Sequence, residues 1–308
     1  MTLHPQAREL LAELEAGDTL NDLDQIRAAG RAAALAVPDR IGLDLVEDLV
    51  AATSGQTDRG QSGVPVRLYR PRLGAPVALY VHGGGWVLHD LETHDVFCRY
   101  LAHTTGWALL AVDYRRAPED PFPAPLDDVQ RVADWLRAGG LDDHRVDASF
   151  LPGIGDSSGA NLIAALSVRD PAALDTQVLL YPPVDRTAEL DRSNDNAALS
   201  ADGMHAFWDW YAPDAAPADP EVSPALASDL GSTPPTILVT AEHDVLADQG
   251  RAYAASLAEA GVEVTAWQAD GMIHSFWRQP DRFDSARSLV VTIGALLTER
   301  RAQAGRLA

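Results

Sequence analysis

The chain has no lysine; all 24 of its basic residues are arginine. That absence excludes Schiff-base chemistry on a lysine amine, serine–lysine dyads and phosphate-binding loops that depend on lysine. Cysteine is almost as scarce. Cys98 stands alone, so no internal disulfide can form, and a reducing, cytoplasmic setting is the expectation. No apolar run approaches the roughly 18 residues of a membrane span. The first residues lack the basic stretch and apolar core of a secretory leader. Positive charge is in short supply: 45 acidic residues give a net charge of −21. Neither nucleic acid nor a stable membrane association is expected of so acidic a chain.

What is present reads as a globular α/β protein. At 308 residues and 46% apolar content, the chain has ample length to bury a core. Residues 1–37 carry leucines at amphipathic spacing and predict helices before any strand pattern. From Val64 onward, short apolar runs alternate with helical patterns. Strands are expected at Val64–Arg70, Val77–Val81 and Trp107–Val112, then before Gly155, and at Gln177–Tyr181, Thr236–Thr240 and Glu263–Gln268. Helices are expected over Leu126–Leu136, from Ala160 and over Asp248–Ala260. This rhythm is the signature of a mostly parallel sheet covered on both faces. Residues 185–225 break it. They are rich in Asp, Ala and Pro and crowd Phe207, Trp208, Trp210 and Tyr211 together, which suggests a cap inserted into the sheet fold. The expected division is an N-terminal cap segment, 1–45, and a catalytic domain, 46–308, carrying the insertion.

Two motifs carry the chemistry. His82-Gly-Gly-Gly85 follows an apolar run and offers bare backbone N–H groups to an anion, because a Cβ would obstruct close approach. Gly155-Asp-Ser-Ser-Gly159 places Ser157 on a sharp strand-to-helix turn. By chance, a lone Gly-x-Ser-x-Gly arises in roughly one chain in ten of this length at average glycine usage of about 7%. Both motifs together, in this order, are hard to ascribe to composition.

A neutral serine hydroxyl needs a base, and the base needs an orienting acid. In a parallel-sheet hydrolase the order is Ser, Asp or Glu, then His. Of nine histidines, only His274 follows every strong acid candidate and the last expected strand. Asp244 lies just past the end of an expected strand, where sheet-based sites collect; Asp248 reads as a first-turn helix acid. The expected oxyanion donors are the N–H groups of Gly83, Gly84 and Ser158. Trp86, Asp156, Trp208 and Tyr211 are candidate substrate contacts, and His82 reads as a structural support of the glycine loop. His89-Asp-Leu-Glu-Thr-His-Asp95 clusters imidazoles and carboxylates but lacks a His-Glu-x-x-His arrangement, so capping and solvation are expected there and no metal.

With these residues in hand, the chain resembles the hormone-sensitive-lipase-like family of α/β-hydrolases, in its bacterial carboxylesterase branch. The resemblance runs from about residue 60 to the C-terminus. It rests on His82-Gly-Gly-Gly-Trp86, Asp113-Tyr-Arg-Arg-Ala-Pro-Glu119, Phe122-Pro-Ala-Pro-Leu-Asp-Asp128, Gly155-Asp-Ser-Ser-Gly159, Tyr181-Pro182 and Asp244-Val-Leu246. It implies an α/β-hydrolase fold with a helical cap and hydrolysis of short- to medium-chain carboxylic esters without a cofactor. It also implies a homodimer paired through the edge strand near 263–268. The same serine would serve an amidase, deacetylase or lactonase, and some relatives of this family have lost catalysis and bind small molecules. His89 stands where relatives commonly have Gly. Pro152 lies in the strand leading to Ser157, where a local bulge is expected.

Overall fold

The computed structural model describes residues 2–16, 22–38, 40–52 and 63–307. Positions 17–21, inside the segment expected to be helical, lie outside them. Among the described residues there are nine strands: β1 (Leu45–Ala52), β2 (Gly63–Arg70), β3 (Ala75–Val81), β4 (Ala108–Val112), β5 (Val146–Asp147), β6 (Pro152–Asp156), β7 (Thr176–Leu180), β8 (Thr236–His243) and β9 (Val264–Ile273). They join in the order β1-β2-β4-β3-β6-β7-β8-β9, with β5 beside the start of β3. β2 runs antiparallel to both its neighbours, and the sheet from β4 to β9 is parallel. β3, β4, β6 and β7 are buried along their whole length, and β3 and β4 accordingly read as continuous apolar runs in the sequence.

Among the described residues there are eight α-helices: α1 (Pro5–Ala16), α2 (Leu23–Leu35), α3 (Leu91–Thr105), α4 (Ala124–Arg137), α5 (Ser158–Arg169), α6 (Ala201–Tyr211), α7 (Ala247–Glu259) and α8 (Asp284–Leu307). Side chains alternate across each strand, so one sheet feeds two cores. Val77, Leu79 and Val81 of β3 pack with Leu126 of α4, Leu162 of α5 and Leu257 of α7. Ala78 and Tyr80 pack with Phe97 of α3 and with Leu289 and Ile293 of α8. α1 joins this second core through Ala7 and Leu10. α2 buries no residue fully.

Two details depart from the expectations. β1 is an additional strand in which the exposed pair Glu47 and Asp48 interrupts the apolar residues, so neither a continuous run nor an alternation marks it. Pro152 is the first residue of β6, in register with Thr176, and needs no bulge there. A strand's first position is one of the few that tolerate a missing N–H.

The parallel strands deliver the chemistry-bearing residues to one edge of the sheet. The glycine loop follows β3, Ser157 follows β6, Asp244 follows β8 and His274 follows β9. These are the carboxyl ends of the strands, where open α/β sheets hold their ligands.

Candidate active site

Ser157 occupies the single-residue step between β6 and α5, at φ 52° and ψ −123°. Residues other than glycine rarely adopt this conformation, and its strain must be met by the surroundings. The Ser157 N–H donates to Leu180 O at 2.9 Å, and Ser157 O accepts from the Asn161 N–H at 3.1 Å. The flanking glycines permit the turn. A Cβ on Gly159 would lie 2.0 Å from Val81 O, and one on Gly155 would lie 2.4 Å from the backbone of Gly159. Strand, elbow and helix are thus in backbone contact.

The three residues picked out by chain order meet. His274 Nε2 lies 2.9 Å from Ser157 Oγ, and His274 Nδ1 lies 2.6 Å from Asp244 Oδ2. The acceptor-only carboxylate accepts a hydrogen bond from Nδ1–H, which keeps the proton on Nδ1 and leaves Nε2 bare to accept from the serine hydroxyl. The second Asp244 oxygen accepts from the Leu246 N–H at 2.9 Å. A register irregularity in β8 and β9 between Ala241 and His243 immediately precedes Asp244; such irregularities re-aim side chains next to sites. All three side chains are buried, with Ser157 the most accessible at 8%.

The glycine loop lies against the elbow: a Cβ on Gly83 would be 3.1 Å from Ser157 Cβ. One expected donor is otherwise engaged. The Gly83 N–H donates to Asp156 Oδ1 at 3.1 Å, so the expectation that it serves an oxyanion is corrected. Among the described residues the N–H groups of Gly84 and Gly85 have no such acceptor, and Ser158 opens α5, where N–H groups lack intrahelical partners.

Asp156 is likewise not in a position to meet substrate. It is fully buried beneath the loop, where Oδ1 also accepts from the Tyr80 hydroxyl at 2.8 Å. Burial pushes its carboxyl above the usual range, against the pull of the Arg278 guanidinium. The rings of Trp86, Trp208 and Tyr211 are also withdrawn. Trp86 stacks on Tyr211 with centroids 4.3 Å apart and leans on Trp208 at the same separation, and none of the three is more than 2% exposed. Large apolar rings gain more from burying one another than from facing solvent. Together they clamp α6, and with it part of segment 185–225, onto the glycine turn. The aromatic that reaches the loop itself is Phe207, whose ring fills the space a Cβ on Gly85 would take.

His82 stacks on Tyr114, with centroids 4.4 Å apart, and its Nδ1 lies 2.8 Å from Gly83 O. Burial pushes it down to about 4, so its ring is neutral at ordinary pH. In the acidic cluster, Asp90 caps α3 through the Thr93 N–H, and Asp95 pairs with Arg40, Arg67 and Arg99. Among the described residues, no group of three or more His, Cys, Asp or Glu could hold a metal ion. No helix among them is long and apolar enough to cross a membrane. Arg278 and Tyr80 complete this neighbourhood and do not stand out in the sequence. Tyr80 looks there like one more apolar strand residue, and Arg278 like an ordinary surface arginine.

Known proteins resemble this chain in sequence and in fold. A family model described as the α/β hydrolase fold matches residues 78–278. An ethyl acetate hydrolase of Pseudomonas putida is 36% identical over 272 residues, covering 82% of each chain. Carboxylesterase NlhH of Mycobacterium tuberculosis is 36% identical over 252 residues, or 75% of each. Among solved structures, a hyperthermophilic esterase from the archaeon Pyrobaculum calidifontis superposes with a TM-score of 0.86 at 33% identity, covering 97% of this chain and 99% of the other. With its mostly parallel sheet, its strand–elbow–helix at Ser157 and these relatives, the chain belongs to the α/β-hydrolase family, in the group that contains the hormone-sensitive-lipase-like esterases.

Proposed function

We propose that this protein hydrolyses short- to medium-chain carboxylic esters in two steps through an acyl-enzyme on Ser157. The observation that carries the reading is the continuous path from Ser157 Oγ through His274 to Asp244, at 2.9 and 2.6 Å. His274 Nε2 takes the hydroxyl proton as Oγ attacks the acyl carbon. Asp244 holds the imidazole in the productive tautomer and stabilises its cationic form. The negative oxygen of the tetrahedral intermediate is held by the N–H groups of Gly84, Gly85 and Ser158. The alcohol leaves with the proton from His274, and water activated by the same nitrogen releases the acid. No cofactor or metal takes part in any step.

The names of the relatives, an ethyl acetate hydrolase and a carboxylesterase, support an ester of modest size as substrate. Among the described residues the edge strand β9 pairs with no strand but β8, so pairing two copies along it is the proposed mode of dimerisation. The lone, buried Cys98 suits a reducing cytoplasm.

Ser157→Ala tests the reading. Turnover of p-nitrophenyl acetate is expected to fall by at least about a thousandfold while the melting temperature stays within a few degrees of wild type. A folded variant that keeps full activity would name another nucleophile.

A further inference from the structure

Beneath the glycine loop lies a charged cluster to which the Ser157 relay assigns no task. Arg278 sits four residues beyond His274. Its Nη1 donates to His89 Nδ1 and to His94 Nε2, each at 3.2 Å. Its Nε lies 3.6 Å from Asp156 Oδ2, and both of these buried atoms lack a hydrogen-bond partner. They form an ion pair one small movement short of a hydrogen bond. The other Asp156 oxygen is the one that accepts the Gly83 N–H.

We propose that Arg278 is a positioning residue for the glycine loop, acting through Asp156 on one side and through His89 and His94 on the other. This rests on the reading of Ser157 as an ester-cleaving nucleophile.

Three observations support it. The first is contact. A Cβ on Gly83 would lie 2.6 Å from Asp156 Oδ2 and 3.1 Å from Ser157 Cβ, so the carboxylate, the loop and the elbow share one close-packed seam. Any shift of Asp156 carries the neighbouring Gly84 and Gly85 N–H groups relative to Ser157 Oγ. A misplacement of about 1 Å in such a site can cost roughly a hundredfold in rate.

The second is proton logic. A guanidinium only donates, so His89 Nδ1 and His94 Nε2 must both be bare and both rings neutral. His94 then has its remaining proton on Nδ1, 3.2 Å from Thr93 Oγ1, the same hydroxyl that accepts from the Asp90 N–H in the capping box of α3. One arginine thereby ties the start of α3 to the seam under the loop. Burial first, and then the Arg278 charge, keep both imidazoles well below their ordinary range.

The third is strain. His89 holds a positive φ of 69°, in a region that side-chain-bearing residues rarely adopt. A histidine kept there at a conformational cost, with its ring against Arg278, points to a use for that ring.

The test compares wild type with Arg278→Met, Arg278→Lys, Asp156→Asn and the Arg278→Met/Asp156→Asn double variant. For Arg278→Met, kcat on p-nitrophenyl acetate is expected to drop about ten- to a hundredfold with KM within about twofold, because the loss falls on the transition state. Arg278→Lys restores part of kcat, since it keeps the charge facing Asp156 but not the fork that serves two imidazoles. The double variant is expected to lose little beyond the worse single one, as partners in one pair do. Hydrogen exchange of the peptide spanning 82–88 is expected to quicken in Arg278→Met at a temperature where the protein remains folded. An unchanged kcat, strictly multiplicative losses in the double variant, or an exchange rate equal to wild type would each overturn the proposal. The exchange measurement needs no substrate, so it decides the positioning role even if the wild type fails on esters, an outcome that would sink only the reading of the reaction.

Discussion

Ser157 holds its position because two of its neighbours have no side chain. Gly159 lets α5 touch the backbone of β3, and Gly155 lets the strand pass under the helix start. Gly159→Ala is therefore expected to destabilise the protein by about 2 to 3 kcal/mol and to lower the melting temperature by about 3 to 5 °C. A calorimetric scan indistinguishable from wild type would show that the contact relaxes freely. Strain concentrates around this point: Trp86, His89, Ser157, Tyr181 and Ser275 are five of the six non-glycine residues with positive φ among those described. At this scale the sequence was most legible where chain order constrains chemistry. Ser157, Asp244 and His274 are separated by long stretches, yet behind a strand–elbow–helix nucleophile the partners follow in the order Ser, Asp or Glu, His, and that order singles them out. It was least legible where two neighbouring groups compete. Nothing in the glycine run foretells that the Gly83 N–H is occupied by Asp156 rather than free, because that depends on which way one carboxylate turns. Trp86, Trp208 and Tyr211 follow the same rule: sequence places them near one another but not whether they face a cavity or each other.

At the scale of elements, the strands that carry the site are held by burial, whereas α2 is held by charge. α2 has no fully buried residue. Arg27 donates to Val87 O at 2.9 Å and to Ala117 O at 2.8 Å, and pairs with Glu119. Arg31 pairs with Asp90 on the same turn. The helix is thereby fastened to the loop that leaves the glycines, with few apolar contacts to take over. Arg27→Met is expected to speed hydrogen exchange over residues 23–35 by about tenfold, a loss of roughly 1.4 kcal/mol in local stability. Exchange unchanged from wild type would mean that packing alone retains the helix. The element pattern was readable wherever apolar runs were continuous, as in β3 and β4. β1 escaped because in this outer strand two consecutive acidic residues, exposed on opposite faces, break the run. α6 was visible as an aromatic cluster, but its seat on Gly85 through Phe207 was not.

Across the whole molecule, buried histidines set how stability responds to acid. His82 is pushed down to about 4 by burial, and burial also holds His89 and His94 well below 6.5. The unfolded chain takes up those protons near pH 6.5, whereas the folded one resists. Their contribution is therefore complete above about 6.5 and is lost as pH falls toward 4. Asp156 and Asp113, raised by burial, act in the opposite sense, but three histidines outnumber two carboxyls. The melting temperature is expected to fall between pH 7 and pH 5, with each histidine contributing up to about 1.4 kcal/mol per pH unit. His89→Gly should flatten that slope, and a melting temperature constant over this range would contradict the assignment. The central claim is that one serine, activated by His274, is where acyl transfer begins. Its most direct test is peptide mapping after reaction with a fluorophosphonate probe. The adduct is expected on Ser157 alone and to vanish in His274→Ala; a label on another residue, or ester turnover that survives full labelling of Ser157, would contradict the account.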